Sequence, residues 1–164
     1  MQTSNIILLV VAAIIIFALA AYASYLLFQL KHQRQQQALA LEQQKQKHIK
    51  RDLKALESIS HICRAMAERQ CEVSEGSWRL SVLMESLPNY VSQMKANFPA
   101  IFTLYSKINH MPILEERKKL SKKERFKLDI ERAGHEEEHE NAIYDEVEKL
   151  LPYTLTLIES LQKS

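Results

Sequence analysis

Residues 135–139 read His-Glu-Glu-Glu-His, a literal match to the pattern H-E-x-x-H. On a helix this spacing puts His135 and His139 one turn apart on one face, where two imidazoles could hold Zn²⁺ with Glu136 as general base. Glu159, 20 residues beyond His139, could be imagined as the third ligand. The surroundings argue against it. Zincin helices are buried and their intervening positions are mostly uncharged, whereas both are Glu here, in a tract where nine acids face Arg132 and Lys149 over residues 129–149. The same segment offers Glu136-x-x-His139, half of a carboxylate-bridged dimetal site in a helical bundle. The second Glu-x-x-His is missing, because Glu57 and His61 are four residues apart. A solvated acidic helix face accounts for the segment better, so neither a metal nor a cofactor is expected.

Other combinations are weaker still. Cys63 and Cys71 are eight residues apart, about 12 Å along one helix, too far to share an ion or form a disulfide. They read as free core thiols. The stretch 117–127 (RKKLSKKERFK) carries seven cations against Glu124. With Phe126 as its one aromatic and an acidic run following, it suits a solvated helix start or a contact with anionic lipid headgroups better than a nucleic-acid interface. A subtler feature lies on the face 126, 130, 133, 137, 140, 144, 147, 151. Glu137 and Glu140 interrupt an otherwise apolar stripe there, and buried carboxylates need partners. Arg79 is the candidate cation, giving an expected Arg79–Glu137/Glu140 network that fixes the register of the bundle.

The elements that would carry these residues are helical. Of 164 residues only 2 are Gly and 4 are Pro, against about 11 and 8 at average usage. So few turn residues disfavour sandwiches and barrels, and no Gly-rich loop exists to cradle a phosphate. Net charge is +2, from 22 basic and 20 acidic residues.

Ile6 to Phe28 is a 23-residue run without charge. As a helix it measures about 34 Å, enough to cross a hydrocarbon core of ~30 Å with slight tilt. Ala18-Leu19-Ala20 and Ala21-Tyr22-Ala23 resemble signal-peptidase sites. No cation precedes Ile6, however, and the apolar run continues past both, so an uncleaved anchor is expected. Cations cluster C-terminal to it, from Lys31 to Lys54. The positive-inside rule then predicts a single-pass membrane protein, with the N-terminus outside and the remainder cytoplasmic.

Three segments follow: a transmembrane anchor over 1–30, a Gln-rich helical stalk over 31–48, and a small cytoplasmic helical bundle over 49–164. The stalk has good helix formers but no apolar heptad, so a coiled coil is not supported. In the bundle the spacing predicts a helix to about Cys71, a break at Gly76, and a short helix with Leu80, Leu83, Met84 and Leu87 on one face, ended by Pro88. One or two helices then run to Met111, with Pro99 in a first turn. Ser121-Lys-Lys-Glu124 is a capping box opening a long helix to about Leu151, where Pro152 kinks or restarts the chain.

Gln70-Cys71-Glu72-x-x-Glu75-Gly76-x-x-Arg79-Leu80, then Leu120-Ser-Lys-Lys-Glu-Arg125 and Leu128-Asp129-x-Glu131-Arg132, resembles a domain-of-unknown-function family of small bacterial membrane-anchored proteins. The likeness covers roughly residues 10–155. It implies a single N-terminal span and a helical cytoplasmic domain, and supplies no activity, substrate, cofactor or site. Gly134 departs from what a strong helix would carry there.

The function expected is therefore non-enzymatic: a tethered helical module that meets the bilayer and an unidentified protein partner, without nucleic acid or small-molecule substrate. A membrane-tethered zinc hydrolase using His135, Glu136 and His139 is one alternative. A module contacting anionic lipid or nucleic acid through its basic stretches is the other.

Overall fold

The computed structural model describes the backbone of residues 2–163, and the side chains of residues 17, 19, 22, 25, 26 and 28–163. The chain is all-α, with six helices and no strand among the described residues: α1 Gln2–Ala67, α2 Val73–Glu85, α3 Val91–Asn97, α4 Pro99–Ile108, α5 Leu114–Lys119 and α6 Lys122–Gln162. It divides into two units, residues 1–48 and 49–164. Among the described residues no helix is long and apolar enough to cross a membrane. Most side chains of the anchor expected at Ile6–Phe28 lie outside the described ones. In the first unit, residues 31–48 are helical and exposed throughout.

The second unit is built on one apolar core. The end of α1 contributes Leu56, Ile59, Cys63 and Met66, a turn apart on one face and all fully buried. Leu80 and Met84 of α2, Ile101 and Leu104 of α4, and Ile143, Val147 and Leu150 of α6 join them. Burying a side chain of this size contributes about 1.5–3 kcal/mol. The helix α2 packs on α4 and α6, and α4 packs on α6.

The boundaries differ from the sequence expectations where side chains substitute for missing turn residues. The helix α1 stops at Ala67, four residues before Cys71, although no Gly is present. Arg69 adopts φ 57°. Its N–H donates to the Met66 carbonyl at 2.9 Å, and that of Gln70 donates to Ala65 at 2.8 Å. This is a Schellman termination with arginine in the left-handed position that glycine favours.

Gly76, expected to break the chain, lies inside α2 and donates to the Glu72 carbonyl at 2.8 Å. Its role is proximity. A Cβ there would collide with the Met66 Sδ and stand 2.7 Å from its Cε and 2.8 Å from its Cγ, so a side chain at this position requires the buried Met66 side chain to shift.

The capping box at Ser121 forms as expected, with the Glu124 N–H donating to Ser121 Oγ at 3.3 Å and the Ser121 N–H to Glu124 Oε2 at 2.8 Å. The helix it opens does not end at Pro152 but runs through it to Gln162. Pro152 is on the solvent side, where water can satisfy the carbonyl that loses its N–H partner.

Pro99 occupies the first turn of α4, and its neighbours are capped from a distance. The Glu146 carboxylate, on α6, accepts from the Ala100 N–H at 2.8 Å and the Ile101 N–H at 3.0 Å.

Candidate functional site

The residues singled out from the sequence are not assembled into a metal centre. Among the described residues no group of three or more His, Cys, Asp or Glu could hold a metal ion. His135 and His139 do share a face of α6, and both approach Glu138, at 3.9 and 3.6 Å. That carboxylate is taken by a cation already. Lys107 of α4 donates to it at 2.7 Å, and its pKa is lowered chiefly by this bond. Glu136 turns towards Arg132, 3.9 Å away. Glu159 lies 20 residues further along the same helix, about 30 Å at ~1.5 Å per residue. Lys107 thus engages the carboxylate nearest the two imidazoles, and Glu159 lies too far along α6 to join them.

The Arg79–Glu137/Glu140 network does not form. Arg79 pairs with Glu75 at 2.8 Å on its own helix, both side chains being more than half exposed. Glu140 pairs instead with Arg69 at 2.8 Å, whose guanidinium also stacks 3.6 Å over the Tyr144 ring. Glu137 is exposed. The face 126–137 does not enter the core: Phe126 and Ile130 are exposed, and the buried stripe of α6 is Ile143, Val147, Leu150 and Thr154. Glu137 and Glu140 therefore need no internal partner. The arginine that reaches them comes from the turn after α1.

What the structure does bring together is a cleft of about 520 Å³ in the second unit. Three segments build it. From α2, Ser74 and Trp78 lie one turn apart, as do Glu75 and Arg79, so these four share one side of the helix. From the end of α4 and the link into α5 come Ile108, Met111, Ile113, Leu114 and, one turn on, Arg117. From α6, Leu128, Asp129 and Arg132 follow helical spacing. The floor is apolar. Trp78 is fixed there by an edge-on contact with Tyr105, ring centroids 5.4 Å apart.

The rim is charged. Arg117 donates to both oxygens of Asp129 at 2.8 Å. This bond is the main reason the Asp129 pKa is lowered. Arg132 stands 3.8 Å from the same carboxylate. Its Nε is enclosed and has no hydrogen-bond partner, and the same holds for the hydroxyl of Ser74. At the mouth, Leu114 is 78% exposed and adopts φ 47°, a conformation uncommon for leucine.

The volume lies within the ~300–1,000 Å³ range of ligand sites, and an apolar floor with a few placed polar groups is their usual composition. Glu72, Glu75, Arg79, Leu128, Asp129 and Arg132 belong to the motifs that carry the family resemblance, but of these the sequence offers only Arg79 as a candidate for a functional contact. Arg117 and Arg132 looked like part of a solvated run. A helical-wheel reading of Ser74/Trp78 against Leu128/Arg132 could have found two facing half-sites, but not that they face each other.

Comparison with known proteins now decides the family. A family model described as "Protein of unknown function (DUF2489)" matches residues 16–150. The chain belongs to this family. An uncharacterized protein of Haemophilus influenzae is 35% identical over 142 residues, covering 87% of this chain and 90% of the relative. No solved structure matches. The DUF2489 match contains the whole cleft, from Glu72 to Arg132.

Proposed function

We propose that this DUF2489 protein is a membrane-tethered, non-enzymatic interaction module. Residues 6–28 form a single inner-membrane span with the N-terminus outside, residues 31–48 form a polar stalk, and residues 49–164 present a docking cleft in the cytoplasm. The uncharged run and the cations that follow it support the tether. The observation that carries the binding role is the cleft itself: an open apolar floor beneath a rim that carries Arg79, Arg117 and Arg132. The basic stretch 117–127 places further lysines outside the cleft, where anionic headgroups can meet them.

Chemical crosslinking of the full-length, membrane-embedded protein tests this reading, with His135→Ala/His139→Ala in parallel. The expected result is a defined protein adduct that the double variant retains, from a protein that stays with the membrane after an alkaline wash. Stoichiometric zinc in the purified protein that the double variant loses would overturn it in favour of the hydrolase. Release by the wash would remove the tether.

A further inference from the structure

The hydrogen-bonding groups that line the cleft are unequally matched. Its acceptors are largely used. Both oxygens of Asp129 accept from Arg117, and Glu75 is held by Arg79 at 2.8 Å. Its donors are in surplus. Ser74, 4% exposed, lines the cleft, and its hydroxyl is enclosed without a partner. Arg132 makes only long contacts, at 3.8 and 3.9 Å, and its enclosed Nε donates to nothing.

Ser74 sits in the first turn of the 13-residue helix α2, where Glu72 makes no side-chain cap. The first N–H groups of a helix lack partners within it and favour negative charge. An acceptor-only group complements this set, and a carboxylate is such a group. Glu72 remains solvated at the rim. Its charge opposes a dianion, so the complement is a carboxylate and not a phosphate. Beneath the donors lie Trp78, Met111 and Leu128, which suit an apolar group attached to that carboxylate. Beyond them the apolar surface continues outward over Ile113 and Leu114, half exposed and 78% exposed. A small acid confined to the cleft would leave that rim uncovered, whereas a chain leading out of it would cover it.

We infer that the cleft captures the C-terminal carboxylate of a partner polypeptide whose last side chain is apolar. This is a backbone-terminus recognition mode. Arg132 and Ser74 bind the carboxylate, Trp78 and Met111 receive the terminal side chain, and Ile113 and Leu114 cover the residues before it. The inference rests on the interaction-module reading and gives that module its partner class.

Trp78 is the only tryptophan of the chain, so its emission reports on the cleft floor. The test is a fluorescence titration of the full-length protein in nanodiscs with three probes. They are a tryptophan-free heptapeptide ending in Leu-Phe with a free carboxylate, the same peptide amidated, and decanoate. The expected result is saturable quenching or shift by the free acid, with at least tenfold weaker binding of the amide. Arg132→Gln then lowers affinity for the acid about tenfold and brings the acid-to-amide ratio towards one, with an unchanged melting temperature. Ser74→Ala reduces the same ratio by less.

Equal binding of acid and amide, or an Arg132→Gln variant that keeps the ratio, overturns the inference. So does a response to decanoate without one to the peptide, which would make the ligand a small amphiphilic acid. No response to any probe also overturns it. If crosslinking still captures a partner in any of these cases, the module stands and only its ligand class falls.

Discussion

Arg69 combines several functions in one residue. It ends α1 with a positive φ, bonds Glu140 and stacks on Tyr144. The left-handed conformation costs a residue with a Cβ about 1 kcal/mol. The stacking contributes ~0.5–1 kcal/mol at an exposed site, and the ion pair less. The two effects are separable by substitution. Arg69→Ala loses the contacts and keeps the strain, whereas Arg69→Gly loses the contacts and relieves it. Urea unfolding is expected to show Arg69→Ala destabilised by about 1 kcal/mol relative to Arg69→Gly, and equal stabilities would contradict this account of the turn. The cysteines differ in a comparable way. Burial pushes the Cys63 thiol up to about 12, while Cys71 is half-buried, with its pKa raised first by burial and then by Glu75. Both are neutral thiols at pH 8, and only Cys71 meets solvent. Native labelling with a thiol reagent should modify Cys71 alone, and labelling of both sites before unfolding would contradict the buried position of Cys63.

At the scale of the elements, the two glycines have opposite consequences. Gly76 holds α2 against Met66, and alanine there is expected to cost about 1–3 kcal/mol through overpacking. Gly134 has nothing within 4 Å of an added Cβ, so alanine should stabilise α6 by about 0.5–1 kcal/mol. Thermal melts of the two variants should move in opposite directions. Glu146 ties α6 to the first turn of α4. Its pKa is raised because burial outweighs the two N–H bonds it accepts. A carboxyl with a raised folded pKa contributes most below its unfolded value, near 4.5, and loses that contribution as pH rises through the folded one. The stability of the wild type relative to Glu146→Gln should therefore fall between pH 4 and pH 7, and a rise would contradict the assignment.

These elements also show what the sequence could convey. Ser121 and Glu124 announce the start of α6 because a capping box is local chemistry, and the 3.6-residue recurrence of Leu56, Ile59, Cys63 and Met66 announces the core face of α1. The stop at Arg69, the passage through Pro152 and the cap from Glu146 depend on groups distant in the chain or on which side of a helix meets water. No local pattern encodes those. The apolar stripe on α6 was legible as a stripe, but its N-terminal half, with Phe126 and Ile130, stays outside the core because nothing packs on it there. Half of the cleft is helical spacing. The other half is the way the link from α4 into α5 folds across, which only tertiary packing sets.

At the scale of the whole molecule, the proposed tether precedes the cleft-bearing unit along the chain. The apolar run at 6–28 and the Gln-rich helix after it carry little chemistry of their own. The 49–164 unit carries an apolar floor, an arginine without a close partner and an exposed leucine at positive φ, the features on which the proposed docking role rests. Position-specific photocrosslinking of the full-length protein in its own membrane tests this most directly. A photoreactive residue replaces Ile113 at the mouth of the cleft in one variant and the exposed Glu137 in another. The account predicts a discrete protein adduct from position 113, weakened by Arg132→Gln, and none from position 137. Adducts of equal yield from both positions, or none from position 113, would contradict it.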